Sequence, residues 1–208
     1  MEKNFRILKK KLLAVEGNDE FNFFASLSRY ENIEGVQPVD IGGKDKFEFS
    51  LGALKEFPLF RNVEALGFVR DAETLPAHSA FISICAILQK NNLPVPVSIN
   101  KITGDKPRTG IFIMPDNQNS GALENLCLQT LEGIKIKECI DDYISCFYPD
   151  MNQHEKEKFN EPKSKILLFL SSRAPIVNAL GLGAQKGYWD FMHQCFDDIK
   201  KFLHSLFD

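Results

Sequence analysis

The sequence has 208 residues, the length of one large domain or of one domain with an extension. With 44% hydrophobic and 25% charged residues, the chain can form a core and is not a disordered or low-complexity protein. The net charge of -3 gives no general electrostatic attraction to nucleic acid, so any such contact requires a local basic patch. Since no apolar run could span a bilayer and the N-terminus lacks signal-peptide features, we expect a cytoplasmic protein without membrane contact.

Short apolar runs alternate with segments of helical period over the first 131 residues. The predicted strands are, in chain order, 12–15, 36–41, 63–69 and 111–114. The predicted helices that follow them are 19–30, 47–57, one that begins at Thr74, and 121–131. Strand–helix repeats of this length predict an α/β fold, with a mostly parallel sheet covered by helices on both faces.

The strand pattern stops after residue 131. Residues 136–147 and 163–171 have helical spacing, and the final segment has apolar residues at intervals of three and four, which predicts one long helix with a buried stripe. The residues of this stripe are Trp189, Met192, Phe196, Ile199, Leu203 and Leu206. We therefore predict an α/β domain at 1–131 and a helical extension at 132–208 that packs on it.

Charged residues and glycines follow every predicted strand. In a parallel sheet the carboxyl ends of the strands meet at one edge, where ligands bind. Carboxylate oxygens gathered at such an edge suit Mg²⁺, which takes one or two carboxylates and completes its coordination with water and substrate phosphate. The residues that follow the four strands are Glu16, Gly17 and Asp19; Gly42, Gly43 and Lys44; Asp71 and Glu73; and Asp116 and Glu124.

Two of these segments have a family resemblance. Residues 13–19 (LAVEGND), together with residues 71–73 (DAE), resemble the Toprim domain of topoisomerases, bacterial primases and overcoming-lysogenization-defect nucleases. Further segments resemble an uncharacterised prokaryotic Toprim-like family that is often encoded beside an ATPase of the overcoming-lysogenization-defect type. These segments are 41–44, 113–117, 121–124 and 187–189. The resemblance spans nearly the whole chain and implies a Toprim-like, Rossmann-like fold.

The resemblance also implies roles for the acidic residues. The glutamate after the first strand is the general acid or base, so Glu16, grouped with Asp19, is assigned to catalysis. Asp71 and Glu73 are assigned to Mg²⁺ or Mn²⁺, although the family pattern has Asp where this chain has Glu73. The alternatives are that Glu16 belongs to an ordinary turn and that Asp71 caps the helix beginning at Thr74.

The remaining site predictions concern the second and fourth strands. Related nucleases use a later acidic residue for a second metal, for which Glu124 and Asp116 are the candidates here. Glu124 is alternatively a first-turn acid that complements the helix dipole. Gly42, Gly43 and Lys44 are assigned to phosphate binding through backbone N–H groups, with a simple turn as the alternative.

Two functions of different classes follow from these assignments. The first is a Mg²⁺-dependent phosphoryl-transfer enzyme of Toprim type, a nuclease acting on DNA or RNA with an ATPase partner from a neighbouring gene. The second is a non-catalytic Toprim-like subunit that binds a nucleotide, a nucleic acid or a protein. The substrate, the number of metal ions and the oligomeric state are left open by the sequence.

Overall fold

The computed structural model describes residues 6–43 and 46–208. Within these residues the sheet has four strands, β1 (Lys11–Val15), β2 (Val36–Asp40), β3 (Ala65–Asp71) and β4 (Arg108–Met114). They lie in the order β2–β1–β3–β4, and each neighbouring pair is parallel. The predicted α/β fold with a parallel sheet is therefore confirmed. Because the chain leaves β1 for β2 on one side and returns to β3 on the other, the strand order reverses between β1 and β3, which opens a crevice at their carboxyl ends.

Helices cover both faces of this sheet, as predicted. The described part of the chain contains no helix that is both long and apolar enough to cross a membrane. The helices are α1 (Asn18–Tyr30), α2 (Phe47–Lys55), α3 (Ala77–Lys90), α4 (Leu123–Gln129), α5 (Lys135–Phe147), α6 (Gln153–Lys158), α7 (Glu161–Ser171), α8 (Leu180–Gln185) and α9 (Asp197–Phe207).

Two separate hydrophobic clusters line the two faces. Leu12 and Ala14 of β1 belong to the cluster formed with α2 and α3, here called the α2/α3 face. Leu13 and Val15 belong to the cluster formed with α1 and α9, here called the α1/α9 face. This alternation follows from the two-residue period of a strand. Because both faces are buried, the strands are nearly continuously apolar, which made them recognisable in the sequence.

The last helix packs directly on the sheet, at two strand positions without a side chain. Gly67 of β3 and Gly110 of β4 are register partners. A Cβ atom added at Gly67 would lie 2.9 Å from Leu206 Cδ2, and one at Gly110 would lie 2.9 Å from a ring carbon of Phe202. The two glycines thus let α9 approach the strands closely.

The division of the chain into an α/β domain at 1–131 and a helical extension at 132–208 stays a prediction.

The prediction of one long C-terminal helix over the whole apolar stripe is wrong. Helix α9 begins at Asp197, after a short 3-10 turn, and Met192 is 78% exposed. Trp189 is buried, but through a stack on Phe169 at 4.9 Å and a hydrogen bond from Nε1 to the Leu180 carbonyl. Apolar residues keep the helical spacing through a segment of turns before Asp197, so the spacing alone predicted too long a helix.

Element ends also differ from the prediction. Strand β3 continues to Asp71, so residues 70 and 71 belong to the sheet rather than to the turn that follows it. Helix α3 begins at Ala77 after Pro76, not at Thr74. The sequence pattern predicts no helix in the charged stretch 150–158, which contains α6. It predicts a loop at 174–183, which includes the start of α8.

Candidate active site

Glu16 and Arg70 form an ion pair at the carboxyl edge of the sheet. Glu16 follows β1, and Arg70 is the last residue but one of β3. Arg70 Nε lies 3.1 Å from Glu16 Oε1, and the Arg70 side chain is only 4% exposed. A second guanidinium nitrogen, Nη1, donates a hydrogen bond to Ser83 Oγ on α3 at 3.2 Å. The guanidinium is thus fixed between one carboxylate and one helix.

Burial raises the pKa of Glu16 to about 7. The positive charge of Arg70 acts against this rise, while the negative charges of Glu20 and Glu73 add to it. A carboxyl group with a pKa near neutrality can both accept and return a proton at physiological pH, which is the requirement for a general acid or base.

Asp71 is the most deeply placed carboxylate of the site. Its Oδ1 accepts a hydrogen bond from the Leu123 N–H at 3.1 Å, so it contacts the start of α4 and not the start of α3. Burial raises its pKa well above the usual range, and the charges of Glu20, Glu16 and Glu124 raise it further. A buried carboxyl surrounded by other carboxylates favours either a proton or a cation.

Glu20 belongs to this cluster and was missed in the sequence. It lies in the first turn of α1, where burial raises its pKa and the negative charges of Glu124, Asp19 and Asp40 raise it further. Gly17 leaves room for it, since a Cβ atom there would lie 2.9 Å from Glu20 Oε2. The available signal was its position beside Asp19 in the first turn of the helix that follows the first strand, since that helix begins at the carboxyl edge of the sheet.

A groove of about 450 Å³ opens beside these carboxylates. Lys163 of α7 lines it and brings a positive charge from the C-terminal part of the chain, which the sequence could not place. The other residues that line the groove are Asn18, Asp19, Glu20, Leu123, Glu124, Ala179 and Leu180.

Asp19 and Glu73, both predicted site residues, have mainly structural contacts. Asp19 Oδ1 accepts a hydrogen bond from the Gly181 N–H at 3.1 Å, which ties α8 to α1. Glu73 is exposed and has a left-handed backbone with φ of 60°. Its N–H and carbonyl exchange hydrogen bonds with Gly121, which tie the end of β3 to the turn before α4. Glu73 still acts on the site through its charge, which raises the pKa of Glu16.

The predicted phosphate-binding turn is partly occupied by the protein itself. Gly42 has φ of 81°, and its N–H donates a hydrogen bond to Asp40 Oδ1 at 2.9 Å, so this donor already has an acceptor. Gly43 is exposed beside it. Lys44 lies outside the described residues.

Asp116 lies apart from the acidic cluster. Its carboxylate accepts hydrogen bonds from the backbone N–H groups of Gln118 and Asn119 and from the Asn119 side chain. Partial burial acts to raise its pKa, but these hydrogen bonds from Asn119 and Gln118 lower it overall. It lines a different groove, of about 260 Å³, next to Phe202 of α9. Of the two candidates for a later acidic ligand, the structure thus brings only Glu124 to the site.

The donor set suits a hydrated divalent cation better than a closed metal cage. Within residues 6–43 and 46–208, no three His, Cys, Asp or Glu side chains are arranged around one point as a preformed metal site. Mg²⁺ needs only one or two carboxylates, with water for its other positions. Asp71, with Glu20 and Glu124 around it, offers such oxygens, and their mutual repulsion is what a cation would relieve.

A family model matches nearly the whole chain. The family described as "Protein of unknown function (DUF3226)" has a model that matches residues 10–208. The chain belongs to this family. No curated protein has significant sequence similarity to it.

Solved structures share the fold of this DUF3226 protein. The C-terminal region of the Burkholderia pseudomallei OLD protein is 13% identical, with a TM-score of 0.51, and the match covers 96% of this chain and 98% of that one. The C-terminal region of the Xanthomonas campestris pv. campestris OLD protein, in a structure phased with mercury, is 12% identical, with a TM-score of 0.50 and coverage of 96% and 97%. At such identities the likeness establishes the fold alone.

Proposed function

We propose that this DUF3226 protein is a Mg²⁺- or Mn²⁺-dependent phosphoryl-transfer enzyme of Toprim type, and specifically a nuclease. The observation on which this rests is the position of Asp71, which is largely buried at the carboxyl edge of β3, close to the negative charges of Glu16, Glu20 and Glu124. The sequence resemblance to Toprim nucleases and the fold shared with the C-terminal regions of two OLD proteins support the same assignment.

Each residue has a role that follows from its surroundings. Asp71, with either Glu20 or Glu124 as a second ligand, would hold a hydrated metal ion through carboxylate oxygens. A bound divalent cation would neutralise charge on the phosphate and lower the pKa of a water molecule. Glu16, with its pKa of about 7, would exchange a proton with the nucleophile or the leaving oxygen. Lys163, on the groove wall, would contact a phosphate oxygen.

The chain's own charge limits the substrate interactions it can form alone. A net charge of -3 repels nucleic acid overall, and among the described residues that line the groove only Lys163 is a cation. We therefore propose that substrate is delivered by a separate ATPase of the overcoming-lysogenization-defect type, encoded by a neighbouring gene. Cleavage by this chain alone should accordingly be slower than cleavage with that partner.

The alternative is a non-catalytic binding subunit, and one observation favours it. Arg70 already neutralises Glu16, as a structural ion pair would. In that case the edge would bind a nucleotide, a nucleic acid or a protein without turnover.

A cleavage assay separates the two functions. Single-stranded and double-stranded DNA and RNA should be incubated with the protein in Mg²⁺ or Mn²⁺, with and without the ATPase. We expect cleavage that EDTA abolishes, that Asp71→Ala abolishes, and that Glu56→Gln leaves unchanged, because Glu56 is exposed at the end of α2. Binding of these substrates without cleavage under every condition would favour the alternative.

A further inference from the structure

A buried cation is already present among the carboxylates of the candidate site. The side chain of Arg70 is 4% exposed, and its guanidinium lies against Glu16. An arginine stays protonated at any pH at which the protein is folded. The charge beside Glu16 is therefore permanent, and the hydrogen bond to Ser83 Oγ fixes its position.

Strand alternation divides the site into two halves. On β3, Leu66 and Phe68 belong to the α2/α3 face, and Arg70 follows them at the same two-residue period. Asp71 follows Val69 on the α1/α9 face, where its carboxylate contacts the start of α4. Arg70 thus reaches the edge from the face opposite to Asp71.

The other acidic residues divide in the same way. Glu16 follows Ala14 of the α2/α3 face at the same period and meets Arg70. Glu20 and Glu124 extend from α1 and α4 and line the groove on the side of Asp71. Arg70 therefore serves one half of the site. The other half is formed by Asp71, Glu20 and Glu124, with Lys163 of α7 on the wall of the same groove.

We propose that Arg70 takes the place beside Glu16 that a second divalent ion would need, so that this site binds a single divalent cation, on the side of Asp71. The inference rests on the metal-dependent function proposed above and specifies it. Arg70 is then a positioning residue: it holds one oxygen of Glu16 and leaves the other for proton transfer.

Charge repulsion is the physical reason. A metal ion on the other oxygen of Glu16, at about 2.1 Å, would lie within about 7 Å of the guanidinium. Salt screens buried charges poorly, so two positive centres at this distance oppose each other in the site. On the side of Asp71 a cation would instead be attracted, because Glu20 and Glu124 line the groove there and Asp71 contacts Leu123 of the same groove.

The number of Mn²⁺ ions bound per chain tests the inference. Free Mn²⁺ should be counted by electron paramagnetic resonance during titration of the full chain, with Mg²⁺ competition to confirm that the sites are shared. We expect one ion for the wild type and for Arg70→Lys, which keeps the charge. We expect a second, weaker ion for Arg70→Met, because Glu16 is then left without a cation.

Arg108→Met is the matched control. Arg108 starts β4 at the opposite edge of the sheet, where it donates to the Leu206 carbonyl, so its removal should leave one ion. Circular dichroism and thermal melting should accompany each variant. If Arg70→Met does not fold, Arg70→Gln replaces it, because Gln removes the charge but can still donate hydrogen bonds, and this variant should also bind the second ion.

The outcomes distinguish this inference from the proposed function. Two ions in the wild type, or one in a folded Arg70→Met protein, would overturn the inference and leave a metal-dependent function intact. No bound ion would overturn both. One ion in the wild type and two in Arg70→Met, without cleavage of any nucleic acid, would support the inference and contradict the nuclease.

Discussion

Asp71 accepts a hydrogen bond from the backbone N–H of Leu123 at 3.1 Å, and this contact joins the carboxyl end of β3 to the first turn of α4. The same contact brings Glu124, the next residue, to the groove beside Asp71. The acidic cluster is thus assembled by one side chain that serves the fold and the site together. Substitutions at Asp71 must therefore separate its charge from its hydrogen bond.

Asp71→Asn makes this separation, because an amide oxygen can still accept from Leu123. The Mg²⁺ concentration for half-maximal cleavage should rise before the maximal rate falls, since a negative ligand is lost. Without metal, the variant should melt at a higher temperature than the wild type at pH 8, because a repelled buried charge is gone. Asp142→Asn, on the exposed side of α5, should change neither quantity. An unchanged metal requirement in Asp71→Asn would contradict its assignment as a ligand.

The pKa of Glu16 predicts how stability depends on pH. Its folded value of about 7 lies above the ordinary 4.5, so the folded state takes up the proton first as the pH falls. The ionised group therefore lowers stability above pH 7, and this penalty disappears as the pH falls towards 4.5. Without metal, Glu16→Gln should raise the free energy of unfolding at pH 8, by up to about 3 kcal/mol, and by much less at pH 4.5. Denaturant titrations at both pH values would measure this change in the free energy of unfolding. An equal change at pH 8 and pH 4.5 would argue against the raised pKa of Glu16.

The backbone of Glu73 gives a prediction that separates strain from charge. A residue other than glycine in the left-handed region costs about 1 kcal/mol, so Glu73→Gly should unfold at higher denaturant concentration than Glu73→Gln. Both variants lose the carboxylate whose charge raises the pKa of Glu16, so both should shift the pH dependence of metal-dependent cleavage to lower pH, and to the same extent. Equal stabilities would mean that the turn is unstrained, and different activities would mean that the backbone matters more than the charge.

The close approach of α9 to the sheet predicts a difference between two glycines. Gly67→Ala should destabilise the protein by about 1 to 3 kcal/mol, because its Cβ would lie 2.7 Å from Leu13 Cδ1 and 2.9 Å from Leu206 Cδ2. Gly52→Ala in α2 has no atom within 4 Å of the added Cβ and should stabilise the helix by up to about 1 kcal/mol. Chemical denaturation of both variants measures this. A Gly67→Ala protein as stable as the wild type would mean that α9 can shift without loss.

The parts of the structure that follow from local pattern could be predicted from the sequence. The strands were recognisable because both faces of the sheet are buried, and the position of Glu16 and Asp71 at one edge follows from parallel pairing. Arg70 was not recognised because the predicted strand ended at residue 69, which left it in a turn. The place of Lys163 depends on how α7 packs against distant elements, and no local pattern encodes that.

Which side chains complete the site depends on local contacts that the spacing of hydrophobic residues does not reveal. Glu20 reaches the cluster because Gly17 leaves space for it. Asp19, which has equal charge and stands next to it, is instead bound to the Gly181 N–H. The sequence shows both acids in the first turn of a helix but does not show which of them turns towards Asp71.

The cleavage rate of Glu16→Gln, relative to that of the wild type, tests the central claim most directly. It should be measured with Mg²⁺ or Mn²⁺ and the ATPase partner, on protein whose Mn²⁺ binding has been measured in parallel. Gln keeps the size of the side chain but cannot exchange a proton, so the rate should fall by about 10² to 10⁴ while the protein stays folded and still binds the metal ion. A Glu16→Gln protein that cleaves as fast as the wild type would contradict the account.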